Sequence, residues 1–341
     1  MNIGILTSGG DAPGLNAVIR GAVRKGIREH GFTFTGIRDG WRGLLEDDMY
    51  PLNEVDVRGL SGRGGTILGT SRTHPYSDGG PEQMKKVMAE RGLDAIIAIG
   101  GEGTLSGAAR LANDEGMPVV GVPKTIDNDL DNTDYTFGFD TAAAIATESI
   151  DRIRTTADSH HRCMVIEVMG RNVGWIALHA GMAAGAHAVL LPEFPVSYDQ
   201  ITAWVTSAWD RGRAPIVVVA EGFVPAGLDE AVSDKGLDKH GRVRLGGIGE
   251  HLAPIIEERT GIETRSVVLG HLQRGGEPTA YDRVLATRLG MASIDIIAQQ
   301  KWGWMAALSG TSITHVEMSD AVDRLNAVPQ ERWEEIQVLL G

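Results

Sequence analysis

The chain has 341 residues, a formal net charge of −13 and a single cysteine, Cys163. That length exceeds one domain of ordinary size and predicts about two. The excess of acid excludes a broad nucleic-acid-binding surface, which needs clustered cations, and a lone cysteine excludes an internal disulfide and fits a reducing compartment. Hydrophobic residues make up 42% and charged residues 23%, the balance of a chain with a full core. Residues 1–7 lack the basic start and long apolar core of a secretory signal. No stretch approaches the roughly 18 uninterrupted apolar residues of a membrane helix. The expectation is a cytoplasmic protein with no membrane contact.

Taken in chain order, residues 3–7 predict a buried strand, 8–14 a Gly-rich loop, and 15–29 a helix with apolar residues at three- and four-residue spacing. Further strands are predicted at 94–99, 117–122, 164–168, 188–191, 216–220 and 266–269, with clear helices at 141–156 and 282–300. This alternation implies an α/β protein with mostly parallel sheets and helices on both faces. In such sheets ligands bind beyond the carboxyl ends of the strands. Two stretches break the rhythm. Residues 43–80, with Gly62-Arg63-Gly64-Gly65, read as a functional excursion, and the polar residues 224–247 read as a surface insertion. No linker is evident, and the boundary between lobes is expected near residues 138–140.

Three loops after predicted strands carry the chemistry. Ser8-Gly9-Gly10-Asp11-Ala12-Pro13-Gly14 opens the first helix. Its glycines let backbone approach an anion, and helix-start N–H groups favour negative charge, although a bare structural turn has the same composition. Gly100-Gly101-Glu102-Gly103-Thr104 follows the run 94–99. A carboxylate among phosphate-binding glycines points to a bridging magnesium ion, with simple helix capping by Glu102 as the alternative. Pro123-Lys124-Thr125-Ile126-Asp127-Asn128-Asp129 then sets two carboxylates two residues apart at a strand end. One can accept a proton from a hydroxyl while the other helps to hold a metal; an Asx-rich turn is the plain reading.

Together these loops resemble the phosphofructokinase family. The matching segments are T-S-G-G-D-A-P-G-L-N at 7–16, G-G-T-I-L-G-T-S-R at 64–72, G-G-E-G-T at 100–104, P-K-T-I-D-N-D at 123–129, E-V-M-G-R at 167–171, A-E-G at 220–222 and E-T-R-x-x-V-L-G-H-L-Q-R-G-G at 263–276. They occur in the family's order and span most of the chain. The resemblance implies two similar α/β lobes with the active site in the cleft. It implies a phosphoryl-donor lobe of 1–138 plus about 273–323 and a sugar-phosphate lobe of 139–272 plus about 324–341. It further implies a homotetramer with sites shared between subunits, magnesium as cofactor, ATP as co-substrate and fructose 6-phosphate as acceptor.

Residue roles follow from the same resemblance. Asp127 is the expected general base on the sugar's 1-hydroxyl, with Thr125 and Ile126 beside it, and Arg171 and Arg72 neutralise the transferring phosphoryl group. Glu102 and Asp129 hold magnesium. Gly10, Gly101, Gly103 and Thr104 join Arg72 and Glu102 around the donor. Arg162, Arg265, His271 and Arg274 meet the 6-phosphate, Glu221 accepts from sugar hydroxyls, and Met169 and Gly170 line that pocket. Trp41 is expected either to stack on adenine or to lie in the core.

Two positions bear on the donor in opposite senses. Gly103 stands where pyrophosphate users of the family carry Asp, a side chain that would crowd and repel the α-phosphate of ATP, so it points to ATP. Lys124 stands where pyrophosphate users also carry Lys. The exclusion argument ranks Gly103 higher, leaving an ATP-dependent 6-phosphofructokinase of a mixed subgroup as the leading reading. Pyrophosphate dependence is the nearest alternative, and a non-catalytic nucleotide and sugar-phosphate sensor is the alternative of another class. At His187 the family's effector site commonly has an acid, so altered nucleotide activation is expected.

Overall fold

The computed structural model describes residues 1–77, 79–228 and 246–341; most of the predicted insertion, including Asp229, Asp234 and Lys239, lies outside them. In chain order the elements are β1 Asn2–Thr7, α1 Leu15–His30, β2 Thr33–Ile37, α2 Trp41–Glu46, β3 Met49–Leu52, α3 Gly80–Arg91, β4 Ala95–Gly100, α4 Glu102–Asn113, β5 Val119–Thr125, β6 Phe137–Gly138 and α5 Phe139–His160. There follow β7 Cys163–Val168, α6 Trp175–Ala183, β8 Ala188–Leu190, α7 Tyr198–Asp210, β9 Ile216–Ala220, α8 Ile248–Thr260, β10 Thr264–Val268, α9 Ala280–Ala298, β11 Trp304–Ser309, β12 Ser312–Glu317, α10 Met318–Asp323 and α11 Gln330–Gln337. Single 3₁₀ turns occupy Leu60–Gly62 and Gly270–Arg274. No helix among the described residues is long and apolar enough to cross a membrane.

The chain divides into two compact units. Unit 1 comprises Met1–Thr141 and Arg274–Leu325; unit 2 comprises Ala142–Gln273 and Asn326–Gly341. Unit 1 is built on a sheet of order β12-β11-β5-β4-β1-β2-β3, with β6 paired to β5. Its centre is parallel, whereas β3 on β2 and β12 on β11 are antiparallel. Strand alternation explains the two cores. Ile3, Ile5, Ile97, Ile99, Val120 and Val122 face one cluster with α1 and α9 residues, and Leu6, Ile96, Ala98 and Val119 face the other with α3 and α4 residues. The excursion 43–80 is partly regular, since it contains β3 and a 3₁₀ turn.

Unit 2 holds a four-stranded, wholly parallel sheet of order β10-β7-β9-β8. Its central strands are buried along their whole length, as expected of strands covered on both faces, and α6, α7 and α8 supply the packing. Both units are thus mixed α/β with a parallel centre. They differ in size, and among the described residues antiparallel edges occur only in unit 1.

Candidate active site

In unit 1 the chain leaves the neighbouring strands β1 and β4 in opposite directions, through α1 towards β2 and through α4 towards β5. That reversal opens a crevice beyond the carboxyl ends, bordered by loops 8–14 and 100–104. Both helices start at a glycine, Gly14 and Gly101, with no side-chain cap, so their leading N–H groups suit an anion. Lys124, near the end of β5, is 4% exposed. Its ammonium lies 3.9 Å from where a Cβ on either Gly9 or Gly101 would stand. One buried cation therefore serves both glycine loops. Burial and then the Arg274 guanidinium push its pKa down to about 8, against the pull of Asp129, Asp127 and Asp11.

The two carboxylates after β5 are held by the residue between them. Asn128 has φ 55°, a left-handed conformation that Asn tolerates better than most. It is buried, its Oδ1 accepts from the Thr136 amide at 2.9 Å, and its Nδ2 donates to the Asp134 carbonyl at 3.4 Å. Thr125 Oγ1 accepts from the Asp127 amide at 3.1 Å. Ile126 is wholly buried, so its side chain packs in the interior beside the turn. The Gly9 amide donates to the Ser71 carbonyl at 2.9 Å and Thr70 Oγ1 donates to the Gly9 carbonyl at 2.6 Å, which carries Arg72 to the first loop. Asn16 pins the excursion by donating to the Arg63 carbonyl and accepting from the Ile67 amide. Gly64 is required there, because a Cβ would stand 2.0 Å from the Gly276 carbonyl oxygen. Thr104 is buried in the first turn of α4, directly after Gly103.

Trp41 is 1% exposed and belongs to the core on the α3–α4 face. Of the two expectations for it, stacking on a ligand is overturned and the core reading stands. Magnesium fits the carboxylates present. Asp129 Oδ1 is buried with no hydrogen-bond partner among the described residues, and Glu102 is exposed at the head of α4. No group of three or more His, Cys, Asp or Glu among the described residues could cage a metal. An ion that keeps waters and takes its remaining oxygens from phosphates suits such a pair.

In unit 2, Met169, Gly170 and Arg171 follow β7, Glu221 follows β9, and His271 sits in the 3₁₀ turn just after β10, all at the carboxyl end of adjacent strands. The Glu221 amide donates to the Val168 carbonyl at 2.9 Å and the Gly222 amide to the Gly170 carbonyl at 3.1 Å. Gly222 permits this approach, since a Cβ would stand 1.8 Å from the Arg171 carbonyl oxygen. Arg162 and Arg265 lie elsewhere. Arg162 precedes β7 and Arg265 is the second residue of β10, at the amino end of the same sheet. The six residues of β7 separate Arg162 from Met169, roughly 20 Å. Arg274, which begins the return to unit 1, donates from Nη1 to the Asp11 carbonyl at 3.0 Å.

A sequence model of the phosphofructokinase family matches residues 2–297. The chain belongs to the phosphofructokinase family. Over the full length of both proteins it is 58% identical to a pyrophosphate–fructose 6-phosphate 1-phosphotransferase of Amycolatopsis methanolica and 53% identical to ATP-dependent 6-phosphofructokinase 3 of Streptomyces coelicolor. Among solved structures, Pichia pastoris phosphofructokinase in the T-state matches with TM-score 0.83 and 32% identity, over 94% of this chain and 35% of that longer one. A pyrophosphate-dependent phosphofructokinase from Nitrosospira multiformis has the same fold, with TM-score 0.83 at 22% identity over 96% of this chain and 86% of that one.

As a phosphofructokinase-family enzyme the chain also uses residues that the motif reading passed over. Asn128 is one. Gln273, wholly buried, accepts from the Met169 amide at 3.2 Å and donates to the Gly270 carbonyl at 3.0 Å, tying the loop after β7 to the turn after β10. Glu167, 1% exposed, accepts from the amides of Gly247 and Gly249 at the head of α8. All three lie inside quoted motifs, but only a buried partner reveals what their amides and carboxylate do. A cavity of about 500 Å³ in unit 2 is lined by Arg154, His187, Arg211, Arg213 and Leu339. His187 accepts from the Ile216 amide, and burial, then the three arginines, lower its pKa to about 4, so it is neutral where an acid would be charged.

Proposed function

We propose that the protein transfers a phosphoryl group from ATP to the 1-hydroxyl of fructose 6-phosphate, giving fructose 1,6-bisphosphate. The observation that carries the reading is the convergence at one switch point of two glycine loops, the buried Lys124 and the Asp127–Asn128–Asp129 turn. Gly103 in the first turn of α4 supports ATP over pyrophosphate, because it presents no side chain where the α-phosphate would lie.

Asp127 takes the proton of the 1-hydroxyl as its oxygen attacks the terminal phosphorus, and Thr125 fixes the turn that aims that carboxylate. Arg72 and Arg171 face the charge of the phosphoryl group in flight, while Lys124 and the helix-start amides hold the donor's phosphates. Glu102 and Asp129 are the residues that would hold magnesium, which when bound neutralises and orients the donor's phosphates. Unit 1 serves the donor and unit 2 the sugar phosphate, with Met169, Gly170, Glu221 and His271 around the sugar. Arg274 belongs with the 6-phosphate by resemblance, although its contact here is with the donor loop. Arg162 and Arg265, at the opposite end of the unit 2 sheet, serve the site of a second copy, which accords with a homotetramer of shared sites.

A second reading, pyrophosphate as donor, is favoured by Lys124 and by the 58% identical relative. Assays with fructose 6-phosphate and magnesium, run with ATP and with pyrophosphate in parallel, decide between them. Turnover with ATP alone is expected. Turnover with pyrophosphate alone reverses the ranking, and turnover with neither returns the sensor reading.

A further inference from the structure

The segment 263–276 contributes more than Arg265 and His271. β7 and β10 pair in parallel with Thr264 opposite Cys163 and Arg265 opposite Met164. That register sets Glu263 beside Arg162, and the two-residue period of a strand puts Arg265 on the same side as Glu263. The side chains meet accordingly. Arg265 Nη2 donates to Glu263 Oε1 at 2.5 Å, and Arg162 Nε stands 2.9 Å from Glu263 Oε2. Arg265 is fixed a second time by donation from Nη1 to the Thr264 carbonyl at 2.9 Å. Glu257, the other acid nearby, reaches Arg265 only at 3.4 Å and is engaged by the Thr264 amide at 2.9 Å. The close approach of Arg162, then the charge of both guanidiniums, hold the Glu263 carboxyl below the usual range, so it is ionised at neutral pH.

We infer that Glu263 is a positioning residue for phosphate recognition: its one carboxylate holds the heads of Arg162 and Arg265 side by side as a preformed pair of forks. The inference rests on the proposed role of those arginines toward the acceptor's 6-phosphate. Two guanidiniums so close repel each other, and both side chains are long, partly exposed and rich in rotamers. A shared counter-ion removes both obstacles before the ligand arrives. Its negative charge also opposes an incoming phosphate. That opposition is screened by water at this partly exposed edge, whereas orientation acts at hydrogen-bond range, so orientation wins.

The test is steady-state kinetics of Glu263→Ala and Glu263→Gln with the donor that the unaltered enzyme uses, alongside Arg162→Ala, Arg265→Ala and the double variant Glu263→Ala/Arg265→Ala. Glu263→Ala is expected to raise the KM for fructose 6-phosphate about tenfold, the size of one charge-assisted hydrogen bond. Donor KM and kcat should hold within about twofold, Glu263→Gln should recover part of the loss, and the effect should shrink when Arg265 is already absent. An unchanged or lower KM for the sugar phosphate overturns the inference, because Glu263 would then be a spectator or a competitor. Parallel loss of kcat and of both KM values, with a lower melting temperature, overturns it as a general structural role. If Arg162→Ala and Arg265→Ala themselves leave that KM unmoved, the reading of the arginines has failed instead.

Discussion

The end of β5 in unit 1 and the sheet of unit 2 organise their polar groups in contrasting ways. At the end of β5, one chain gathers Lys124, Thr125, Asp127 and Asp129 within six residues, and Asn128 fixes the turn through Thr136 and Asp134. In unit 2 the groups proposed for the sugar phosphate are split between Met169, Glu221 and His271 at one end of the strands and Arg162 and Arg265 at the other. A strand is a rigid spacer, so no side-chain movement brings the two sets together. Under the proposed roles the donor side can be built by a single chain, whereas the phosphate-binding side would draw on a second copy.

The sharpest way to break that contrast is at Asp127. Asp127→Asn should lower kcat about 10³-fold, the usual share of a general base, with both KM values within a few-fold; survival of turnover would remove the base assignment. Mixing the Asp127→Asn and Arg162→Ala proteins under conditions that exchange subunits should raise activity at low fructose 6-phosphate above that of either alone, since some hybrid sites then carry both native residues. Absence of rescue in a demonstrated hybrid would place Arg162 in its own chain's site. Gly103→Asp should raise the KM for ATP by about tenfold or more and affect pyrophosphate less, because the new carboxylate repels the α-phosphate. Equal effects on the two donors would show that Gly103 does not choose between them.

The smallest expected effect tests how unit 1 is held together. Asp282 is wholly buried in α9 and accepts from the amide and hydroxyl of Thr141 in α5 at 2.8 and 2.5 Å, while the Thr279 amide donates back to Thr141 Oγ1 at 3.1 Å. Burial raises the Asp282 pKa to about 6, only partly offset by these hydrogen bonds. The folded form therefore binds the proton more readily than the unfolded chain. Its ionised form is a burden above about pH 6, and stability should rise as pH falls from 7 towards 4, by at most ~3 kcal/mol from this group. Urea denaturation across that range should show the rise, and Asp282→Asn should flatten it.

Much of the fold was legible because buried parallel strands announce themselves. Runs such as Ala95–Gly100 and Ile216–Ala220 are apolar on both faces and end in glycine or acid. The antiparallel pairs at the two ends of the unit 1 sheet were not. β2, β3 and β12 mix polar with apolar residues and are only partly covered, and together with the short β11 they escaped a reading based on continuous apolar runs. Trp41 shows the complementary failure, for a tryptophan after a glycine turn reads equally well as a ligand platform or as core, and only its 1% exposure decides.

The sequence by itself determined the chemistry on offer. Asp127, Asp129, Lys124, the glycine loops and the arginine-rich motifs are identities, and phosphoryl transfer needs those identities in loops after strands. Tertiary structure alone decided their partnership. It buried Lys124 between loops more than ninety positions apart in the chain, put Arg162 and Arg265 on one carboxylate at the wrong end of their sheet, and turned Gln273 and Asn128 into struts. The reason is physical. A residue's reactivity is written in its side chain, but its neighbours are set by strand order and register, which arise from contacts distant in sequence.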